Sequence, residues 1–166
     1  MTTGDFEPQP GRYGEPGAYP PPPPVGWQQP GGLGVRFFAR VIDGIIVGIV
    51  GFFLAFFTDS LSNIWVTGLF TGLLMFIYFV AFEVSQGWTL GKKLLGLRVL
   101  GPGGAPKPTL QQSAIRNAFT LLPIVPLFGG LLAIIAIIVV AVTINGSPTK
   151  QGKHDEFAGG TQVVKG

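Results

Sequence analysis

"RFFARVIDGIIVGIVGFFLAFF", Arg36 to Phe57, decides the fold. Two arginines and an aspartate stand at its mouth, and no further charge follows before Phe57. A helix needs about 20 apolar residues to cross the hydrocarbon core of a bilayer. Phe37 to Phe57 meets that requirement, and so does the second apolar run, Ile64 to Phe82. Between them "TDSLSN", Thr58 to Asn63, is a short polar turn without Lys or Arg. The two runs therefore form a tight membrane-spanning hairpin.

The composition agrees. Of 166 residues 47% are hydrophobic and only 11% charged, where a soluble domain carries about 25% charged residues. The absence of cysteine removes a disulfide framework and a thiolate zinc site. A net charge of +3, spread over several segments, lacks the concentrated basic face that nucleic acid requires. Residues 1–34 are built from Pro, Gly, Gln and Tyr, and such a segment buries too little apolar area to offset its ordering entropy. Pro20 to Pro24 reads as locally stiff polyproline II, either a solvated tail or a docking peptide for a proline-recognising protein. No apolar run precedes Leu33, so the first helix is expected to insert as an uncleaved anchor.

The third apolar region is interrupted. Pro123, Pro126 and the pair Gly129–Gly130 fall near the start of "PIVPLFGGLLAIIAIIVVAVTI". Proline removes an amide donor and clashes with the preceding turn, so a break is expected at 123–126. Residues 110–122 before it place Leu110, Ala114, Ala118 and Leu121 on one side, with Gln111, Arg116 and Asn117 elsewhere. That pattern predicts a helix lying in the membrane interface or buried against the bundle. Residues 127–144 after it are long enough to cross. The expected fold is an all-α small multipass bundle with its third region broken and re-entrant.

Lys and Arg in short loops favour the cytoplasmic side. Arg36 and Arg40 precede the first helix, and Lys92, Lys93, Arg98, Lys107 and Arg116 lie between the second and third. The N-terminus and the 84–117 connection are thus expected in the cytoplasm. Three simple crossings would leave the C-terminus outside, yet Lys150, Lys153 and Lys165 favour inside. Leu97 to Leu100 and Thr161 to Val164 are both β-prone and can pair only on one side of the bilayer. Residues 110–144 are therefore expected to return the chain to the side it left. The reach is tight, because two full helical crossings need about 40 residues.

On a helix, Arg36, Arg40 and Asp43 fall within an arc of about 60°. Asp43 lies just inside the apolar slab, where a carboxylate costs a few kcal/mol unless paired or hydrated. Arg40 is expected to reach it and Arg36 to extend toward headgroups. Gly44 and Gly48 on the first helix, like Gly68 and Gly72 on the second, have a small-xxx-small spacing that allows close helix approach, between the first and second helices or between protomers. Glu83 ends the second helix at the level of these arginines. It reads as an interfacial carboxylate paired with one of them or with Arg116, or as half of a proton- or cation-binding pair with Asp43.

"RFFARVID", "FEVSQGWTLGKKLLGLRVL", "AIRNAFTLL" and "KQGKHDEFAGGTQVV" occur in that order. Over about residues 34–165 the chain resembles the RDD family of bacterial membrane proteins, named for one arginine and two aspartates. The resemblance implies that Arg36 takes the arginine, Asp43 the first aspartate and Asp155 the second. It also implies a bacterial plasma-membrane location. Transport, with ion/proton antiport for some members, has been proposed in that family. "DEFAGGTQVV" carries one glycine more than the family's D-x-x-A-G-T pattern, which leaves the register after Ala158 open.

Other motifs are weaker. "GWTLGKKLLG", Gly87 to Gly96, lacks the spacing and the hydroxyl residue of a phosphate loop. It reads as an elbow, with Trp88 at the interface and Lys92, Lys93 and Arg98 meeting anionic headgroups. His154 beside Asp155 and Glu156 makes a poor metal cluster, because adjacent side chains seldom converge on one ion. No nucleophile–base arrangement stands out, so neither enzyme activity nor a cofactor is expected. Asp155 is expected to bond Arg36, Arg40 or Arg116, tying the C-terminal tail to the first helix. Two functions follow. One is a non-enzymatic scaffold or assembly component held by this Arg/Asp clasp, with homo-oligomers and a partner for the tail as further possibilities. The other is an oligomeric transporter or ion/proton exchanger that titrates Asp43.

Overall fold

A computed structural model describes residues 28–166; the proline-rich run at 20–24 lies outside them. Helix α1 spans Leu33–Phe57 and α2 Ile64–Gln86. The Asn63 side chain caps α2 by accepting from the backbone N–H groups of Trp65 and Val66. At the other end Gly87, at φ 77°, takes the left-handed conformation that stops the helix. A short helix α3, Leu90–Leu94, leads into strand β1, Leu97–Leu100. Helix α4, Leu110–Asn117, runs without a gap into a 3-10 segment, Ala118–Ile124. Helix α5, Gly129–Gly146, a five-residue helix α6, Lys153–Phe157, and strand β2, Gln162–Lys165, complete the order.

Among the described residues, α1, α2 and α5 are long and apolar enough to span a membrane, with mean hydropathies of 2.1, 2.0 and 2.4. Phe52, Phe53, Ile134 and Ile138 on these helices face outward, whereas Asp43, Glu83 and Asp155 are fully buried. Lipid explains that inverted arrangement, since apolar side chains gain nothing by leaving hydrocarbon while carboxylates must find donors inside the protein.

The third region returns the chain as expected, by a denser route. Ser113 and Asn117 touch Glu83 near the end of α2. Pro123 and Ile124 lie against Gly68 and Gly72, near its start. The limb 110–124 thus runs back along α2 toward the Thr58–Asn63 turn, and α5 comes down again. A 3-10 helix rises about 2.0 Å per residue against 1.5 Å for an α-helix. Eight α and seven 3-10 residues therefore cover about 26 Å, which relieves the shortage of residues.

Of the two placements expected for the helix at 110–122, interfacial or buried against the bundle, the second is found. Its α part stops at Asn117, and its polar side faces inward. Ser113, Arg116 and Asn117 are buried while Leu110 is exposed. The carboxylate of Glu83 attracts that polar side. Gly68 and Gly72 do permit close approach, but to the 3-10 segment: a β-carbon at Gly68 would lie 2.7 Å from the Pro123 carbonyl oxygen. Gly48 has no neighbour within 4 Å, and Gly44 meets only the tip of Met75, at 4.0 Å. The α1–α2 contact is not a glycine seam.

The two strands pair antiparallel, Leu97 with Lys165 and Leu100 with Gln162. Pro30 bridges Val164 on the other edge of β2, and the Gly31 N–H donates to the Val163 carbonyl at 3.0 Å. Residues 29–31, which composition groups with the tail, are therefore part of the folded unit. Both ends of the described chain meet at one end of the bundle. Ala39, Leu97, Val99 and Val163 form the small apolar core that joins this sheet to α1.

Candidate functional site

Each of three carboxylates beside that sheet has its own set of donors. Asp43, on the first turns of α1, accepts from Tyr78 Oη at 2.7 Å, Thr89 Oγ1 at 2.6 Å and the Gly91 backbone N–H at 2.7 Å. Thr89 caps α3, and Tyr78 Oη in turn accepts from the Leu90 N–H at 3.1 Å. Asp43 therefore fastens the α2–α3 elbow to α1. The elbow must carry glycine at 91, because a β-carbon there would stand 3.0 Å from the Asp43 carboxyl carbon and press on the Ala39 carbonyl. Arg40, expected as the partner of Asp43, instead places its guanidinium 3.9 Å from the Phe79 ring centre and 4.8 Å from that of Phe119. Asp43 already has three donors, and the aromatic faces offer Arg40 a cation–π contact.

Glu83 gathers the second group. It takes an ion pair with Lys92, hydrogen bonds at 2.9 Å from both Ser113 Oγ and Asn117 Nδ2, and lies 3.6 Å from Arg116 Nη1. Asp43 and Glu83 thus bind different donors and do not form the carboxylate pair considered from the sequence. Lys92 is corrected from a headgroup contact to a buried partner of Glu83. Burial lowers its pKa to about 8 even though Glu83 opposes the shift. Lys93 stays exposed, with Nζ 4.2 Å from the Trp88 ring centre. Arg98 is half-buried in β1, its Nε without a hydrogen-bond partner among the described residues.

Asp155, in α6, is the third centre. Arg116 Nε lies 2.9 Å from Oδ1, and Arg36 Nη1 lies 3.5 Å from Oδ2. Thr161 Oγ1 donates at 3.1 Å and the Gly152 N–H at 3.3 Å. Burial alone would raise the Asp155 pKa, but Arg116, His154 and Arg36 outweigh it and hold the carboxyl below its ordinary value. Arg36 donates also to the carbonyls of Gly31 and Val163, each at 2.9 Å. It links the segment before α1, strand β2 and Asp155 in one knot. The extra glycine belongs to this knot. Gly159 and Gly160 both take positive φ, 85° and 92°, and turn the chain so that Thr161 comes back onto Asp155. Left-handed backbone at two consecutive positions suits glycine alone.

Arg116 joins the second and third centres, being 2.9 Å from Asp155 and 3.6 Å from Glu83. Its burial is compensated on both sides. His154 Nε2 sits 3.7 Å from Asp155 Oδ1 and its ring meets Phe119 edge-on at 6.0 Å. Burial lowers its pKa to about 4; Asp155 pulls the other way, but Arg116, Arg40 and Arg36 add to the lowering. The structure brings Arg36, Glu83, Arg116 and Asp155, all singled out in the sequence, into one neighbourhood. The sequence reading missed Tyr78, Thr89, Ser113, Asn117 and Thr161, whose only signal was a polar group in or beside an apolar helix.

A family model described as the RDD family matches residues 30–159. No curated protein and no solved structure matches the chain.

Proposed function

The chain belongs to the RDD family, and on that premise we propose that this membrane protein is a non-enzymatic scaffold or assembly component. Its charged groups lock both ends of the described residues and the α2–α3 elbow into one rigid platform. The observation that carries this reading is the saturation of the carboxylates. Asp43 has three hydrogen-bond donors, and its two oxygens are both engaged. A carboxylate that exchanges protons or cations must alternate between occupied and free states. Asp43 could do so only by releasing the elbow that it holds. In this reading the platform lies at the cytoplasmic face of a bacterial plasma membrane, as the Lys and Arg distribution favours. A protein partner for the proline-rich tail belongs to the same reading.

Reconstitution into proteoliposomes discriminates the scaffold from the exchanger. The expected result is no proton- or sodium-coupled flux for the natural chain, and loss of folded protein for Asp43→Asn. Flux that the natural chain supports and a well-folded Asp43→Asn variant lacks would overturn the scaffold reading.

A further inference from the structure

Between α1, α4 and α5, on the inner side of the clasp, is a cavity of about 100 Å³, several times the room one water needs. Arg36, Arg40, Lys92 and Arg116 line it together with the Asp43 carboxylate, and Val140 and Ala141 of α5 add an apolar part. Those four cations are matched by three carboxylates, Asp43, Glu83 and Asp155, all engaged as described. Among the described residues, no carboxylate oxygen lies within 4.0 Å of Arg40. Arg40 is partly exposed and lines the cavity, whereas Arg116 is only 4% exposed.

We propose that this cavity binds a phosphate oxyanion, with Arg40 as its principal donor. A guanidinium offers paired N–H groups that match phosphate geometry. The anion neutralises the unmatched charge of Arg40. The apolar lining runs out to exposed surface at Ile137, 45% exposed, and at Phe37, 55% exposed. That continuity suits the phosphate of an anionic phospholipid, whose acyl chain would lie along α5. Inorganic phosphate shares the recognising chemistry. The headgroup site thus moves from the exposed Lys93 and the half-buried Arg98 to the interior of the clasp. This inference is independent of the scaffold reading, because it concerns binding and not flux.

The test uses the full chain in dodecylmaltoside, titrated separately with phosphatidylglycerol mixed micelles, phosphatidylcholine mixed micelles and sodium phosphate. Binding is followed by native mass spectrometry and calorimetry. Saturable binding of phosphatidylglycerol over phosphatidylcholine is expected. Arg40→Gln should weaken it about tenfold, the loss of one charge-assisted contact. Ala141→Phe fills the cavity from the apolar side without removing a charge and should weaken binding similarly, while Lys93→Gln should bind like the natural chain. Competition by sodium phosphate would assign the site to the free oxyanion; its failure to compete would assign it to the lipid headgroup. Equal binding of the two lipids with no effect of sodium phosphate, or unchanged binding in both Arg40→Gln and Ala141→Phe, overturns the proposal.

Discussion

Arg116 Nε stands 2.9 Å from Asp155 Oδ1, which fastens the second limb of the bundle to the C-terminal segment. The same guanidinium faces Glu83 with Nη1 at 3.6 Å. Removing one partner of a buried ion pair costs about 3–5 kcal/mol, since the other charge is left uncompensated. Arg116→Met should therefore destabilise the protein by at least that range, read as a lower midpoint of thermal unfolding in detergent. Arg116→Lys should rescue little, because one ammonium cannot reach two carboxylates in a planar fork. Lysine restoring the natural midpoint would show that Arg116 acts only as a charge.

How much of this was legible depended on whether a signal was local. The α1–α2 hairpin followed from two apolar runs and a polar turn, because lipid leaves a polypeptide few ways to satisfy its backbone. The β1–β2 pairing was legible from two tetrapeptides once both were placed on one side. The fate of Lys92 was not. Consecutive helical residues point about 100° apart, so in a short helix one lysine turns inward to Glu83 and the next outward. "KK" alone does not say which. The partners of the glycines were equally hidden, since a small-xxx-small spacing marks a close approach without naming the segment that approaches.

Gly91 and Gly48 should respond in opposite ways to alanine. At Gly91 the new β-carbon presses on the Ala39 carbonyl and the Asp43 carboxyl, neither of which is a flexible tip. Gly91→Ala should abolish the folded species on size-exclusion chromatography. At Gly48 nothing lies within 4 Å, and replacing a mid-helix glycine stabilises by roughly 0.5–1 kcal/mol. Gly48→Ala should therefore unfold at the natural temperature or slightly above it. A folded Gly91→Ala would mean that the elbow does not press on α1.

Acid should weaken the clasp before its carboxylates protonate. His154 has an ordinary value of 6.5 that burial and three arginines lower to about 4 in the fold. Between these values the unfolded chain binds more protons than the folded one, so stability falls as pH falls from 6.5 toward 4. One such group contributes a slope of up to about 1.4 kcal/mol per pH unit. Asp155, also held below its ordinary 3.8, adds a further loss below that pH. His154→Gln should flatten the stability profile between pH 6.5 and 4 and leave the more acidic loss in place. Identical profiles for the variant and the natural chain would show that the imidazole titrates alike in both states.

Both ends of the folded unit should label from one side of the membrane. The backbone bonds from Gly31 to Val163 and from Lys165 to Gln29 cannot form across a bilayer, and α1 and α2 leave the Thr58–Asn63 turn at the far end. The chain has no cysteine, so single introduced cysteines report without background. Gln28→Cys and Lys165→Cys should react with a membrane-impermeant maleimide only after the bilayer is opened, and Ser62→Cys should react in intact cells. A broken third region that returned only part of the way would expose position 165 together with position 62. That outcome would dismantle the β1–β2 pairing, and with it the knot that Arg36 and Asp155 tie.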